Sequence, residues 1–197
     1  MTSTADPRLQ LAPPGPRADT WLFLLAFVLP LAIGAVAVAV PLARGRTLPL
    51  IDGSPVLTAA AAVAGALLAC AVLWRVMARF MRRQSLRLSP DLLEVRSSFY
   101  RCSTPLSALK LEQARVVDLD DRTELRPTLK TNGFSIPGFH SGWFLLRNRR
   151  RTFVAVVDGR RKLWLPGAGR HDLLLEPADP AALLARLREL AAPGGRG

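Results

Sequence analysis

Arginine is the commonest residue in this chain that could do chemistry. Arg147, Arg149, Arg150 and Arg151 fall within one five-residue turn, and Arg160 and Arg161 with Lys162 form a second basic tip shortly after it. Guanidiniums crowded on a loop tip suit phosphate or carboxylate, to which each donates paired hydrogen bonds. The tips therefore point to anionic headgroups or an acidic partner, with a solvated turn in an arginine-rich chain as the alternative. A third group, Arg75, Arg79, Arg82, Arg83 and Arg87, follows an apolar run, and Arg75, Arg79 and Arg82/Arg83 recur at helical spacing opposite Val76, Met77 and Phe80. That pattern suits a helix end among lipid headgroups, its arginine stems snorkelling along apolar surface. Residues that only fix membrane topology would look the same.

The rest of the chemical inventory is sparse. The chain has no G-x-S-x-G, no P-loop and no G-x-G-x-x-G after a strand. Asp118, Asp120, Asp121 and Glu124 are interrupted by Arg122 and Arg126, as in a loop of mixed charge. His140 and His171 are isolated, and Cys70 and Cys102 fall in an apolar run and a strand-like segment, so neither a metal ligand set nor a disulfide is expected. A hydrolase would need an acid/base pair brought into a pocket, and no such pair stands out. No catalytic residue, cofactor or metal is expected, and nucleic acid is not an expected partner, because a recognised motif and interleaved aromatics are missing.

The elements that position these arginines begin with two apolar runs. Residues 21–40 are uncharged, and at ~1.5 Å per residue they match a hydrocarbon core of ~30 Å. Twelve of them are Leu, Ile, Val or Phe, which contribute about −4 to −7 kcal/mol toward insertion. Pro30 and Gly34 are tolerated in a membrane span, where Pro30 is expected to kink the helix. A cleavable signal peptide is the rival reading, since Ala37-Val38-Ala39 resembles a cleavage site. Against it stand the length of the run, a leader of zero net charge and a second span. That span, residues 56–74, is Ala-rich and weaker. Its Ala61, Gly65 and Ala69 offer a small face to Ala35 and Ala39 of the first, though an Ala-rich segment also produces such spacing by chance.

Charge sets the orientation. The chain carries 27 Lys+Arg against 15 Asp+Glu, and nearly all the excess follows residue 74. Five arginines flank the second span, against Arg44 and Arg46 between the spans, which places the C-terminal side and the N-terminal tail in the cytoplasm. Residues 1–19, polar and Pro-rich, read as a disordered tail. Residues 20–83 read as a transmembrane hairpin with a basic inner end.

From residue 84 the hydrophobic period shortens to two. Strands are expected at 86–88, around 93–95, and at 99–103, 109–111, 115–119, 143–146, 152–157, 163–165 and 171–175, with 120–132 a polar segment and Asp158-Gly159 a hairpin turn. Asp179 then caps a helix opened by Pro180, whose Leu183, Leu184, Leu187 and Leu190 form one apolar stripe. Residues 192–197 read as a tail.

Short antiparallel-looking strands, about seven of which would make a barrel, closed by one helix look like a pleckstrin-homology (PH) fold. TNGFSIPGFHSGWF (residues 131–144) resembles the Gly/Pro-rich turn into a central strand of bacterial PH-domain membrane proteins, and the DPAALLARL ending is similar to theirs. The resemblance covers residues 85–190. It implies an α+β, mostly β fold: a two-helix transmembrane hairpin followed by a PH-like seven-stranded β-barrel (84–191) with a C-terminal α-helix. It implies a tendency to self-associate, and not phosphoinositide binding. On this reading Gly133, Pro137, Gly138, Gly142 and Trp143 shape the barrel, while His140 and Trp143 are the residues a ligand-clamping loop would use. The expected whole is an integral inner-membrane protein with a cytoplasmic binding or assembly module. Its expected partners are membrane lipids, an unidentified membrane or cytoplasmic protein, and a second copy of the chain. The alternative is anionic-phospholipid recognition by the basic tips.

Overall fold

A computed structural model describes residues 6–45, 54–169 and 171–192. Arg46 and the centre of the inter-span connection, the first five residues and the last five of the expected C-terminal tail lie outside the described residues. The chain divides into a helical unit, Asp19–Arg79, and a unit made of the residues up to Ala18 together with those from Phe80 onward.

In the helical unit, α1 (Pro16–Phe23) passes through a π-helical turn, Leu24–Val28, into α2 (Leu29–Ala43). Pro30 has no N–H to give the carbonyl four residues back, and the wider turn just before it absorbs the mismatch: the Leu29 N–H bonds to Leu24, five residues back. The disturbance expected at Pro30 thus takes the form of a π turn. Ser54 caps α3 (Pro55–Met81), its hydroxyl accepting the Leu57 N–H at 3.3 Å. Pro16–Ala43 and Val56–Met81 are each long and apolar enough to cross a membrane, and both run past the expected 21–40 and 56–74. Phe23 meets Trp74 edge-on at 5.7 Å. A Cβ added at Gly65 would meet only open space, so the close backbone approach expected at the small face is not made there.

Among the described residues, nine strands follow in two sheets. β1 (Gln84–Leu88), β2 (Leu92–Ser97) and β3 (Tyr100–Pro105) form an antiparallel meander. β4 (Arg115–Asp118), β5 (Pro127–Ile136), β6 (Phe139–Leu146), β7 (Arg151–Val157), β8 (Arg161–Leu165) and β9 (Asp172–Leu175) form a six-stranded sheet in the order β4-β8-β9-β7-β6-β5. One core joins Leu93, Val95 and Cys102 of the small sheet to Phe153, Leu163, Leu173 and Leu175 of the large one, with Leu183 and Leu187 of α4 (Pro180–Ala191). A second core, with Phe144, Val154, Val156 and Leu174, covers the other face of the large sheet. β9, the third strand in from the β4 edge, is buried throughout.

Several expectations change. Among the described residues the two sheets do not close into a ring, and they hold nine strands where the expected barrel had seven. Residues 109–111 are not a strand; Leu109 follows a 3-10 turn and makes an isolated bridge to Gly167. The polar segment 120–132 contains most of β5, an edge strand whose side chains are largely exposed and so carry no apolar alternation.

Asp158-Gly159 does not close a hairpin either. β9 inserts between β7 and β8 and runs parallel to β7. The buried Lys162–Glu176 pair, 3.0 Å apart, takes up the backbone groups at the end of β7: Lys162 donates to the Val157 and Gly159 carbonyls, and Glu176 accepts the Val157 N–H.

Residues 6–18 are not a free tail. The Gln10 amide bonds both backbone groups of Leu86 on β1, donating to the carbonyl at 3.0 Å and accepting the N–H at 3.1 Å. Backbone bonds join Ala12 to Glu176, Ala178 to Gln10 and Asp179 to Arg8, while Leu11 is buried in the first core. The segment is a strap across β1 and the start of α4, and it binds through backbone and amide groups that a Pro-rich composition hides.

The helix cap forms as expected. Asp179 accepts the Ala181 and Ala182 N–H groups, at 3.0 and 3.1 Å. Leu183 and Leu187 are fully buried, each contributing about 1.5–3 kcal/mol.

Candidate functional site

The 147–151 tip is tight. Arg149 adopts a φ of 64°, its N–H bonds the Leu146 carbonyl, and Asn148 Oδ1 accepts the Arg150 N–H at 3.0 Å. The four guanidiniums do not act together. Arg150 donates to both carboxylate oxygens of buried Asp172, at 2.6 and 3.3 Å, and to the Gly167 carbonyl at 3.2 Å, an arrangement that holds it still more firmly protonated. Arg151 lies over the Trp143 ring at 4.7 Å. Arg147 and Arg149 are exposed and have no side-chain partner among the described residues.

At the second tip, Arg160 pairs with Asp118 at 3.1 Å, Lys162 is buried, and Arg161 is exposed. The Asp120 N–H, with help from Arg160, holds the Asp118 carboxyl below its ordinary range. A groove of about 550 Å³ runs beside this tip, lined by Arg160, Arg161, Glu176 and Asp179.

The structure brings together a polar group that sequence spacing did not reveal. Cys102 Sγ lies 3.6 Å and Thr104 Oγ1 3.3 Å from His171 Nε2, and Trp143 packs edge-on against the imidazole at 5.1 Å. Burial pushes the thiol pKa up, with Thr104 opposing. Burial and then Arg151 push the imidazole pKa down, with Asp172 opposing. Both groups are therefore neutral near pH 7, and a neutral thiol is a weak nucleophile. The group joins the small sheet to the approach to the large one. It comes from β3 and the approach to β9, far apart in sequence, so no motif announces it. Cys70 and Cys102 are both free.

The glycine-rich segment packs against protein. Pro137-Gly138 turns β5 into β6, with Gly138 at φ 85°, and Gly142 faces Gly133 across the two strands with φ 110°. A Cβ on Gly142 would sit 2.6 Å from Gly133 Cα and 2.7 Å from the Asn132 carbonyl. His140 is half-buried and bonded to Ser135 at 2.7 Å, and Trp143 is half-buried against Phe153.

A further set of contacts joins Phe80, at the end of α3, and Arg83 just after it to the β2–β3 turn. Arg75, Arg79, Arg82, Arg83 and Arg87 are all exposed, and Arg87 sits opposite Glu94 in the β1–β2 register. The β2–β3 turn is the two residues Ser98-Phe99, with Ser98 at φ 54° and its N–H bonded to the Arg83 carbonyl at 2.9 Å. Phe99, 49% exposed, stacks on Phe80 with ring centroids 4.4 Å apart. The Arg83 guanidinium lies 4.6 Å over the Phe80 ring. Sequence reasoning found the arginines but placed Phe99 in a strand; a tight turn without Gly or Asn was the signal available. No protein-family model, curated protein or solved structure matches the chain.

Proposed function

We propose that this chain is a two-span bacterial inner-membrane protein whose cytoplasmic PH-like unit is a non-catalytic binding or assembly module held at the membrane face. One observation carries the reading: the strap before the first span and everything after the second belong to one packed unit, joined through Gln10, Leu11 and the 176–179 segment. Segments that fold together lie on one side of a membrane, which requires an even number of crossings. The arginines after the second span make that side cytoplasmic. Cleavage after Ala39 would remove the strap, so the same observation weighs against a signal peptide. Two stacked sheets and a capping helix support the PH-like description, while the parallel β7–β9 pair departs from an all-antiparallel barrel.

The assembly reading is favoured over lipid recognition by the basic tips because Arg150, Arg151 and Arg160 are engaged within the fold, leaving Arg147, Arg149 and Arg161 to face outward. Crosslinking in intact membranes, followed by purification in detergent, tests it. A defined protein partner, or a second copy of the chain, supports assembly. Recovery of the chain alone, with salt-sensitive vesicle binding lost in Arg147→Ala/Arg149→Ala, would replace assembly by lipid recognition.

A further inference from the structure

We infer that the Ser98-Phe99 hairpin tip, together with Phe80 and Arg83, is a docking surface for an anionic phospholipid leaflet. The inference rests on the two-span reading above and names the partner of one corner of the β unit.

Length places the corner. The 26-residue stretch Val56–Met81 spans ~39 Å at ~1.5 Å per residue, beyond a ~30 Å hydrocarbon core and close to the ~40–45 Å that includes headgroups. Phe80, its penultimate residue, therefore stands in the headgroup layer. Phe99 stacks directly on it and shares that depth.

The local chemistry fits the same environment. A two-residue hairpin favours Asn or Gly where φ is positive, yet this one uses Ser and a half-exposed phenylalanine. Breaking a local rule to expose an aromatic ring is the mark of a surface used for contact. The ring is held outward by stacking on Phe80 and by the Ser98 N–H bond to Arg83, so presenting it costs little further ordering. Arg83 sets a cation beside the aromatic pair. An apolar ring pair with a guanidinium over it matches acyl chains below and phosphates above. A protein groove would need no such coincidence with the end of a span.

The test uses the full chain in phosphatidylcholine vesicles with and without phosphatidylglycerol. p-Benzoylphenylalanine replaces Phe99 in one preparation and Leu129, 58% exposed on β5, in another. After irradiation, mass spectrometry should find lipid adducts at position 99 well above those at 129. Arg83→Gln should lower the preference for phosphatidylglycerol adducts by about fivefold. Lipid adducts at 99 no more frequent than at 129, or adducts confined to protein, in a chain that resists alkaline extraction would overturn the inference alone. A chain released by alkaline extraction would overturn the membrane reading and the inference with it.

Discussion

Arg150→Ala separates a residue that holds the fold from one that meets a ligand. Asp172 is 1% exposed at its side chain and accepts from Arg150 Nε, Arg150 Nη2 and the Gly167 N–H. Truncating Arg150 leaves a buried carboxylate with one of those three donors, and also frees the Gly167 carbonyl. Breaking a buried pair costs about 3–5 kcal/mol. The Arg150 side chain is 44% exposed, so water replaces part of what is lost, and about 2–3 kcal/mol remains. At about 4 °C per kcal/mol for a unit of this size, the melting temperature should fall by about 10 °C. Thermal unfolding of the detergent-solubilised chain, followed by tryptophan fluorescence, measures it, since Trp143 and Trp164 both lie in the β unit. Arg149→Ala, at an exposed position two residues into the same tip, is the control and should change stability by less than about 0.5 kcal/mol. Equal melting temperatures for the two variants would refute the structural role of Arg150.

Other expectations follow from the same contacts. Gln10→Ala removes both side-chain bonds to Leu86 and should cost about 1–3 kcal/mol, with faster hydrogen exchange at residues 8–12 and at β1. Gly142→Ala forces a Cβ into the β5 backbone at a positive φ and should cost about 2–5 kcal/mol, whereas Gly169→Ala, with open space around it, should be near neutral; urea unfolding compares them. His140 and His171 both have lowered pKa values, in each case chiefly through burial. The unfolded chain therefore binds protons first as the pH falls below about 6.5, so stability should decline through that range, with no further change from these two groups above it. Melting curves from pH 5 to 7.5 on the parent chain and His171→Gln should show the acid loss reduced in the variant.

What the sequence made legible is what apolar periodicity and caps encode. Two long uncharged runs gave the two span-length helices, and Asp179-Pro180 with its leucine stripe gave α4. β5 escaped because an edge strand with exposed Thr128, Lys130 and Asn132 has no buried face to pattern. The parallel β7–β9 pair escaped because Asp158-Gly159 carries a hairpin signature, while the buried Lys162–Glu176 contact that accompanies the observed pairing joins residues fourteen apart. The strap escaped because a single glutamine amide and backbone bonds hold it. The basic tip was legible as composition and not as geometry: only the fold shows that Arg150 faces Asp172 and Arg151 faces Trp143.

The most direct test of the account is the side of the membrane on which each end of the chain lies. Single cysteines placed at residues 3 and 195, in a background with Cys70 and Cys102 replaced, are exposed to a membrane-impermeant maleimide in intact cells and in inverted membrane vesicles. Both should be protected in cells and labelled in inverted vesicles. Labelling of the two ends from opposite sides, or of residue 195 in intact cells, would contradict a hairpin that returns both ends of the chain to one cytoplasmic unit.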